Sequence, residues 1–244
     1  MFPTGDDNIP GKGPGVVTIL FIAINFLVFL FLQGAGSNED FTYGYAAIPA
    51  EITTGEDLTA TQVVETSSGP VEVPQAPGPN PIFLTLLTSM FMHAGWLHLI
   101  GNMLFLWVFG DNVEHTISRA LYVIFYLLAG VIGALAQILI NSDSPIPSLG
   151  ASGAVSGVLG AYLVLFPRNR VRVFVGLRQG VVPAMVMIGM WALFQFINGI
   201  GAFAVAEETT GGVAYMAHIG GFVVGLMAGA IARAAGAGRS TVAA

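Results

Sequence analysis

Six long apolar runs dominate this chain and decide the environment in which it can fold. They cover approximately residues 15–34, 96–110, 120–140, 152–166, 181–205 and 213–233. A helix of about 17 to 25 apolar residues crosses the hydrocarbon layer of a bilayer. With 55% hydrophobic and 9% charged residues, the chain lacks the polar surface of a soluble globule. The sequence therefore predicts an all-α membrane protein with six transmembrane helices. The second and fourth runs are short, so we expect their outer ends to lie inside protein, below the membrane surface.

The basic residues support six spans, because all of them fall on one of the two sides that six spans define. One side holds all eight basic residues: Lys12, Arg119, Arg168, Arg170, Arg172, Arg178, Arg233 and Arg239. The other side holds ten acids and no base: Glu39, Asp40, Glu51, Glu56, Asp57, Glu65, Glu72, Asp143, Glu207 and Glu208. Basic loops remain in the cytoplasm, so both termini are predicted to be cytoplasmic. The predicted organisation is a tail at 1–14, a six-helix domain at 15–233 with an external loop at about 35–95, and a tail at 234–244.

The first apolar run has an alternative interpretation as a cleaved signal peptide, with Lys12 as its charged region and the small residues 34–37 as a processing site. The run is longer than a typical signal core and only one base precedes it, which favours a retained span. The chain has no cysteine, which excludes disulfides, thiolate metal sites and cysteine catalysis. It also has no basic cluster on a soluble segment that would bind nucleic acid.

Glycines are arranged so that two particular helices can touch. Gly153, Gly157 and Gly160 share a stripe of the fourth run, and the sixth run carries Gly221, Gly225 and Gly229 at helical spacing. Such stripes of small residues let helix backbones approach closely in lipid. The long external loop, by contrast, is rich in Gly, Pro, Thr and acids, which predicts irregular structure, with a partly embedded segment near 82–92.

Four polar residues lie where polar side chains are costly, inside three apolar runs. His98 and Asn102 belong to the second run, Ser152 begins the fourth and His218 lies near the start of the sixth. All three runs are oriented from outside to inside, and a helix rises about 1.5 Å per residue. The four side chains are therefore expected at one depth, in the outer part of the membrane. Polar groups at such depths usually face a wet cavity and mark functional sites.

The same residues supply the parts that acyl transfer requires. Ser152 needs a base to remove its proton, and the imidazole of His218 can provide one. The glycine-flanked turn before Ser152 offers free N–H groups for an oxyanion, and His98 and Asn102 share a helix face that offers two more donors. No intramembrane carboxylate is placed to complete a triad, so the prediction is a Ser-His dyad. The alternatives are a metal or haem site on His98 and His218, which lacks an accompanying carboxylate or thiol, and a purely interhelical hydrogen-bonding role for Ser156 and Asn102.

The pattern resembles the rhomboid intramembrane serine proteases. The resemblance rests on His93, His98 and Asn102, then Gly150-Ala151-Ser152-Gly153, then Ala217-His218-Ile219-Gly220-Gly221, in that order. It implies a six-helix rhomboid-like bundle in which Ser152 is the nucleophile and His218 the general base. It further implies that His98, Asn102 and the Ser152 N–H form the oxyanion hole, and that His93 is a structural or water-organising residue at the pocket mouth. Gly150 and Ser156 are predicted to be supporting residues of the site. The implied activity is cleavage of membrane-anchored helices near their outer ends, without metal, ATP or another cofactor.

Two positions depart from patterns found in some rhomboids. Leu84-Thr85 stands where some members carry a Trp-Arg pair, which puts anchoring of the loop by that pair in doubt. Ser156 stands where some members place a tyrosine against the catalytic histidine. The packing of the imidazole is therefore expected to differ here, and the Ser156 hydroxyl is a candidate for holding water or the ring.

The expected partners are the lipid bilayer and single-span or other transmembrane substrates. A substrate helix would approach past the fifth span, where Trp191, Phe194 and Phe196 lie, and unwind to expose a peptide bond. The rival function is a non-catalytic rhomboid-like protein that binds transmembrane helices, and a small transporter or channel ranks below it. The compact form fits a prokaryotic cytoplasmic membrane, with an organelle membrane as the alternative.

Overall fold

The helices form the bulk of the structure. The computed structural model describes residues 2–66, 69–176, 178–204 and 214–237. Its α-helices are α1 Val16–Leu27, α2 Glu39–Tyr45, α3 Pro49–Thr54, α4 Thr85–Thr88, α5 Trp96–Ile117, α6 Arg119–Ile138, α7 Ser152–Leu165, α8 Ala184–Ala204 and α9 Tyr215–Ala234. A π-helix, Val28–Leu32, continues α1. Outside the described residues lie the predicted span ends at 205 and 213, the acids Glu207 and Glu208, Arg239, and residues 238–244 of the predicted tail.

Apolar helices of several lengths correspond to the predicted spans. Within the described residues, α6 and α9 are long and apolar enough to cross a membrane. Helix α5 joins them if it is counted together with the segment Ile82–Phe91, from which it is bent by 77°. The segments Val16–Leu32, Ser152–Leu165 and Ala184–Ile200 are shorter apolar helices. The chain is thus mostly helical with apolar helices, and the exact count of six spans stays a prediction.

Five short strands were overlooked by the all-α prediction. Strands β1 Phe2–Asp6, β4 Arg170–Val175 and β5 Arg178–Pro183 form an antiparallel sheet in the order β1-β4-β5. Strands β2 Gln62–Thr66 and β3 Gly69–Val73 form a hairpin within the external loop. In β4 the buried Val171 and Val173 alternate with the exposed Arg170 and Arg172. This alternation every second residue is typical of a β-strand with one buried face. Residues 181–183, assigned to the fifth span from the sequence, belong to β5.

The external loop is more ordered than its composition suggests. Besides the hairpin it contains α2, α3 and α4. Ala47 and Ser148 form a two-way backbone bridge that ties this loop to the segment between α6 and α7. The prediction of irregular structure was therefore wrong for much of the loop.

Helix α5 also extends beyond the predicted span end at residue 110. It continues to Ile117 because Asp111, Asn112 and Glu114, which favour a loop in the sequence, are buried with partners. The Glu114 carboxylate accepts hydrogen bonds from the backbone N–H groups of Val17 and Thr18 at 3.1 and 2.9 Å. It thereby caps the first turn of α1, whose N–H groups have no acceptor inside the helix.

Helix α7 lies at the centre of the bundle, in contact with α5, α6 and α9. The predicted glycine contact between α7 and α9 is confirmed. A Cβ added at Gly221 or Gly225 would overlap the backbone carbonyl of Gly153 or Gly157. This close approach brings the outer ends of the two helices together, where Ser152 and His218 lie.

Candidate active site

A cavity of about 400 Å³ opens between α5, α7, α8 and α9. The structure brings four of the predicted site residues to its wall: His98, Asn102, Ser152 and His218. Ser156 and Trp191 also line it, together with apolar side chains such as Phe105 and Leu159. Polar groups converging in an otherwise apolar cavity are the usual composition of a small site for ligand binding or catalysis.

Ser152 is the first residue of α7, two positions after Gly150, whose backbone conformation would be strained by a side chain. Gly150 has a φ of 137°, and its N–H donates to the Ser89 carbonyl at 2.9 Å. A Cβ at Gly150 would lie 2.7 and 2.9 Å from Cε1 and Nε2 of His98, and 3.6 Å from Ser152 Oγ. Gly150 thus keeps open the space between the His98 ring and the Ser152 hydroxyl. Because Ser152 begins the helix, its N–H has no acceptor within α7.

His218 is held by a residue that the sequence analysis missed. Its Nδ1 lies 2.8 Å from Oε1 of Gln195, a buried amide on α8. An amide oxygen only accepts, so Nδ1 carries the proton and Nε2 keeps a free lone pair. The rings of Trp191 and Tyr215 flank the imidazole at centroid distances of 6.2 and 6.4 Å. The only sequence signal for Gln195 is that it is one of two amide side chains, with Asn198, in the apolar run of α8.

His98 and Asn102 present donors at the opposite wall. The Ala94 N–H lies 3.4 Å from Nδ1 of His98, which makes Nδ1 the acceptor and leaves Nε2–H as the donor of the neutral ring. The Nδ2 of Asn102 is buried, and it has no hydrogen-bond partner among the described residues. A buried amide without a partner is costly, so this group is available to an oxygen atom that enters the cavity.

His93 lies behind His98 and not at the mouth of the pocket, where we expected it. It is completely buried, and its ring contacts the His98 ring edge-on at a centroid distance of 5.0 Å. Its backbone is fixed by Gln33, which accepts from the His93 N–H at 2.8 Å and donates to its carbonyl at 3.1 Å. His93 therefore supports the His98 ring from behind.

Ser156 does not hold the imidazole. Its hydroxyl donates to the backbone carbonyl of Ser152, one turn earlier in α7, at 2.5 Å. This bond satisfies the hydroxyl within its own helix. The ring of His218 is instead positioned by Gln195, an amide from a different helix.

Comparison with known proteins identifies the family of this chain. The model of the rhomboid domain matches residues 81–235, which include every cavity residue described above. The chain is 31% identical over 219 residues to Rhomboid protease GluP of Bacillus subtilis, covering 90% of this chain and 35% of that protein. It is 31% identical over 150 residues to the mitochondrial Rhomboid protein 1 of Saccharomyces cerevisiae, covering 60% of this chain and 41% of that protein.

The similarity extends to other eukaryotic proteins. Over 150 residues the chain is 28% identical to the mitochondrial Presenilin-associated rhomboid-like protein of Homo sapiens, which covers 58% of this chain and 36% of that protein. The chain thus spans less than half the length of each of these relatives. Since the domain model covers more than half of the chain and the similarity to GluP covers most of it, the chain belongs to the rhomboid family.

Proposed function

We propose that this protein is an intramembrane serine endopeptidase that cleaves membrane-anchored helices near their external ends. The observation that carries the proposal is the single cavity that holds a serine hydroxyl, an imidazole with a free lone pair and two hydrogen-bond donors. Acyl transfer needs a nucleophile, a base and an oxyanion hole. Ser152, His218 and the pair of His98 and Asn102 fill these roles.

The proposed reaction proceeds in two halves. Nε2 of His218 takes the proton of Ser152 Oγ as Oγ attacks the carbonyl carbon of the substrate. The resulting oxyanion accepts hydrogen bonds from the Ser152 N–H, Nε2–H of His98 and Nδ2 of Asn102. His218 then returns its proton to the leaving amine as the C–N bond breaks. In the second half, water gives a proton to His218, attacks the acyl-enzyme and releases the new carboxyl end while Oγ regains its proton.

The proposed topology has six spans with both termini in the cytoplasm. Two observations support it: β1 pairs with β4, so the N-terminal segment and the α7–α8 connection lie at the same end of the molecule, and both are on the predicted basic side. Ser152 begins α7 at the other end. A prokaryotic cytoplasmic membrane fits this arrangement, and the proposed chemistry requires no cofactor.

Substrate access is proposed at α8. Trp191 lines the cavity, whereas Phe194 and Phe196 are 59% and 54% exposed on the outside of the helix, where lipid would contact them. A helix that enters past α8 must unwind before its peptide bond reaches Ser152, because intact helical hydrogen bonds shield the backbone and lipid supplies no replacement. Substrates with glycine or other helix-weakening residues near the external interface are therefore expected to be preferred.

The proposal is tested by gel-based cleavage of a single-span substrate in detergent, with labelling by a serine-directed fluorophosphonate. Ser152→Ala and His218→Ala are each expected to lower cleavage by at least about a thousandfold, and Ser152→Ala is expected to abolish labelling. Ser156→Ala is the matched control. Its hydroxyl serves only its own helix, so cleavage is expected to stay within about threefold of wild type. Full activity of either dyad variant contradicts the mechanism. Folded wild-type protein with neither cleavage nor labelling favours a non-catalytic helix-binding member of the family.

A further inference from the structure

A second, larger groove runs along the external loop and joins the catalytic cavity. Its volume is about 750 Å³. It shares four lining residues with the cavity: Ala94, His98, Leu149 and Ala214. A polypeptide lying in the groove would therefore lead directly to Ser152.

One wall of the groove is the segment 143–149 between α6 and α7, and this wall is held firmly. Ser148 exchanges backbone hydrogen bonds with Ala47 at 3.0 and 2.8 Å, and the Ser144 carbonyl accepts from the Ala50 N–H at 3.1 Å. The side chain of Gln75 also donates to the Pro145 carbonyl at 2.9 Å. The groove is thus preformed and needs little ordering when it binds a ligand.

Strand β2 forms another wall of the groove. Four consecutive residues of β2, 62–65, line the groove, and no described residue of β3 does. Side chains of consecutive strand residues point to opposite faces of a sheet. Four in a row can therefore line one groove only if the groove lies along the edge of the strand, where its outward backbone groups are exposed.

The register of the hairpin identifies the outward backbone groups. Glu65 is opposite Pro70, which has no N–H, and Val63 is opposite Glu72. Hydrogen-bonded and non-hydrogen-bonded pairs alternate in an antiparallel ladder, and proline takes the non-hydrogen-bonded position. Val63 and Glu65 therefore direct their N–H and C=O groups away from β3. An extended peptide can pair with such an edge as an added strand.

The groove has a single sign of charge. Glu39, Glu65 and Asp143 line it from three different segments, and no lysine or arginine is present among its described lining residues. The sequence has no lysine or arginine between Lys12 and Arg119, so the whole external loop is without a compensating base. Clefts lined by one sign of charge attract ligands of the opposite sign.

We propose that this groove binds an extended, basic segment of the substrate that lies just outside its transmembrane helix. The segment pairs with the outer edge of β2, its lysine or arginine side chains contact Glu39, Glu65 and Asp143, and the chain continues into the cavity at Ser152. This inference rests on the proposed protease function, and it adds a basic external segment to the features that define a substrate.

Cleavage kinetics test the charge preference. Three substrates share one transmembrane helix and cleavage site: one has alternating Lys and Val residues in its external segment, one has Glu in place of Lys, and one lacks the segment. We expect kcat/KM to be about tenfold higher for the basic than for the acidic substrate, mainly through KM. The difference is expected to be smaller at 0.5 M salt, where the Debye length falls to about 4 Å. Glu39→Gln/Glu65→Gln/Asp143→Asn is expected to abolish this preference while the truncated substrate is cleaved as before.

The matched control also removes three acidic charges, all from the external loop and outside the groove: Asp40→Asn/Glu56→Gln/Glu72→Gln. It is expected to retain the preference. Equal cleavage of the basic and acidic substrates by wild type overturns the proposal while leaving the protease function intact. Loss of preference in both triple variants also overturns it, because the effect would then come from the overall charge of the loop.

Crosslinking tests the strand edge without catalysis. The natural chain has no cysteine, so Val63→Cys in the Ser152→Ala background offers one thiol to a cysteine in the basic segment of the substrate. A disulfide is expected at residue 63 and not for Val71→Cys, on β3. Crosslinking at residue 63 without any cleavage by wild type would support the groove and contradict the protease function. Equal crosslinking at both positions would contradict the proposed pairing of the substrate with the edge of β2.

Discussion

At the scale of single residues, the tautomer of His218 determines whether the cavity can work as a catalyst. An imidazole accepts the serine proton only through a nitrogen with a free lone pair. Gln195 lies 2.8 Å from Nδ1 through its amide oxygen and so leaves Nε2 free. In serine proteases with a triad, a carboxylate fixes the base and also stabilises its cation. A neutral amide can provide the orientation but less of the charge stabilisation.

This difference gives a prediction for Gln195. Gln195→Ala is expected to lower kcat by about ten- to a hundredfold with little change in KM, because the imidazole loses its orientation. Gln195→Glu is expected to restore a hydrogen-bond acceptor and to move the acidic limb of the kcat/KM profile to higher pH, since a carboxylate stabilises the imidazolium. Full pH profiles of both variants provide the measurement.

The control for this prediction is Asn198→Ala. Asn198 is another amide of α8, and it donates to the Phe194 carbonyl of its own helix at 2.7 Å. Its loss is expected to leave kcat unchanged. An unaltered pH profile in Gln195→Glu, together with unaltered kcat in Gln195→Ala, would show that Gln195 is only a packing residue.

The sequence identified the residues at the cavity because hydroxyl and imidazole groups are conspicuous in apolar runs. It did not identify Gln195, whose partner His218 lies 23 positions later. That contact depends on the rotation of α8 about its axis, which a run apolar on nearly all sides does not specify. The predicted position of His93 was wrong for a related reason. His93 lies in the break between the segment Ile82–Phe91 and α5, which are bent by 77°, and the local sequence does not specify the course of the chain through that bend.

At the scale of helices, the contact between α7 and α9 sets the spacing of the proposed dyad. The carbonyl of Gly157 occupies the space that a Cβ of Gly225 would need, and Gly153 stands in the same relation to Gly221. Protein interiors are packed too densely to absorb even one additional methyl group without movement. Enlarging these residues must therefore separate the two helices and with them Ser152 and His218.

Gly225→Ala is accordingly expected to destabilise the bundle by about 1–3 kcal/mol and to lower cleavage at least about tenfold. Thermal unfolding in detergent and cleavage of the model substrate measure the two effects. Gly189→Ala on α8 is the matched control, because a Cβ there meets no atom within 4 Å. It is expected to be neutral or slightly stabilising. Wild-type activity and stability in Gly225→Ala would show that the glycine contact does not position the dyad.

The sequence predicted this contact because glycine stripes can be recognised locally. It did not predict that α5 continues to Ile117, because Asp111 and Glu114, considered alone, are typical of a loop. Their partners lie about a hundred positions earlier: Asn8 donates to Asp111, and the N–H groups of Val17 and Thr18 donate to Glu114. Buried polar residues are tolerated where such partners exist, and only the tertiary structure reveals them.

At the scale of the whole molecule, the N-terminal segment connects parts that are distant in sequence. The buried Asp6 carboxylate accepts hydrogen bonds from the Tyr162 hydroxyl on α7 and from Nδ2 of Asn112 on α5. Strand β1 pairs with β4 beside it, and the exposed Asp7 forms an ion pair of 3.0 Å with Arg170. One short segment thus joins α5, α7 and the strand pair that precedes α8.

The burial of Asp6 makes this attachment depend on pH. Burial, with a smaller contribution from the nearby Asp111, raises the pKa of Asp6 from 3.8 to about 6, although the hydrogen bonds from Tyr162 and Asn112 and the charge of Arg172 act in the opposite direction. A raised pKa means that the docked segment binds the proton more tightly than the released one. The resulting stabilisation, at most about 3 kcal/mol, is complete below pH 3.8 and is lost as the pH rises through about 6.

A spin label on Phe2→Cys, in a chain without other cysteines, reports this attachment. Its mobile fraction is expected to increase as the pH rises from 5 to 7. Asp6→Asn keeps an oxygen that accepts from Tyr162 and Asn112 but has no charge to bury, so its mobile fraction is expected to stay low and constant.

Asp7→Asn is the control, because the pKa of this neighbouring carboxyl group is shifted in the opposite direction. Arg170 lowers the pKa of Asp7, so their ion pair stabilises the attached segment only above the ordinary pKa range of a carboxyl group. Because the pair is exposed, this stabilisation is small. Loss of the pair is expected to leave the Asp6 transition in place. A transition that persists in Asp6→Asn would assign the pH dependence to another group.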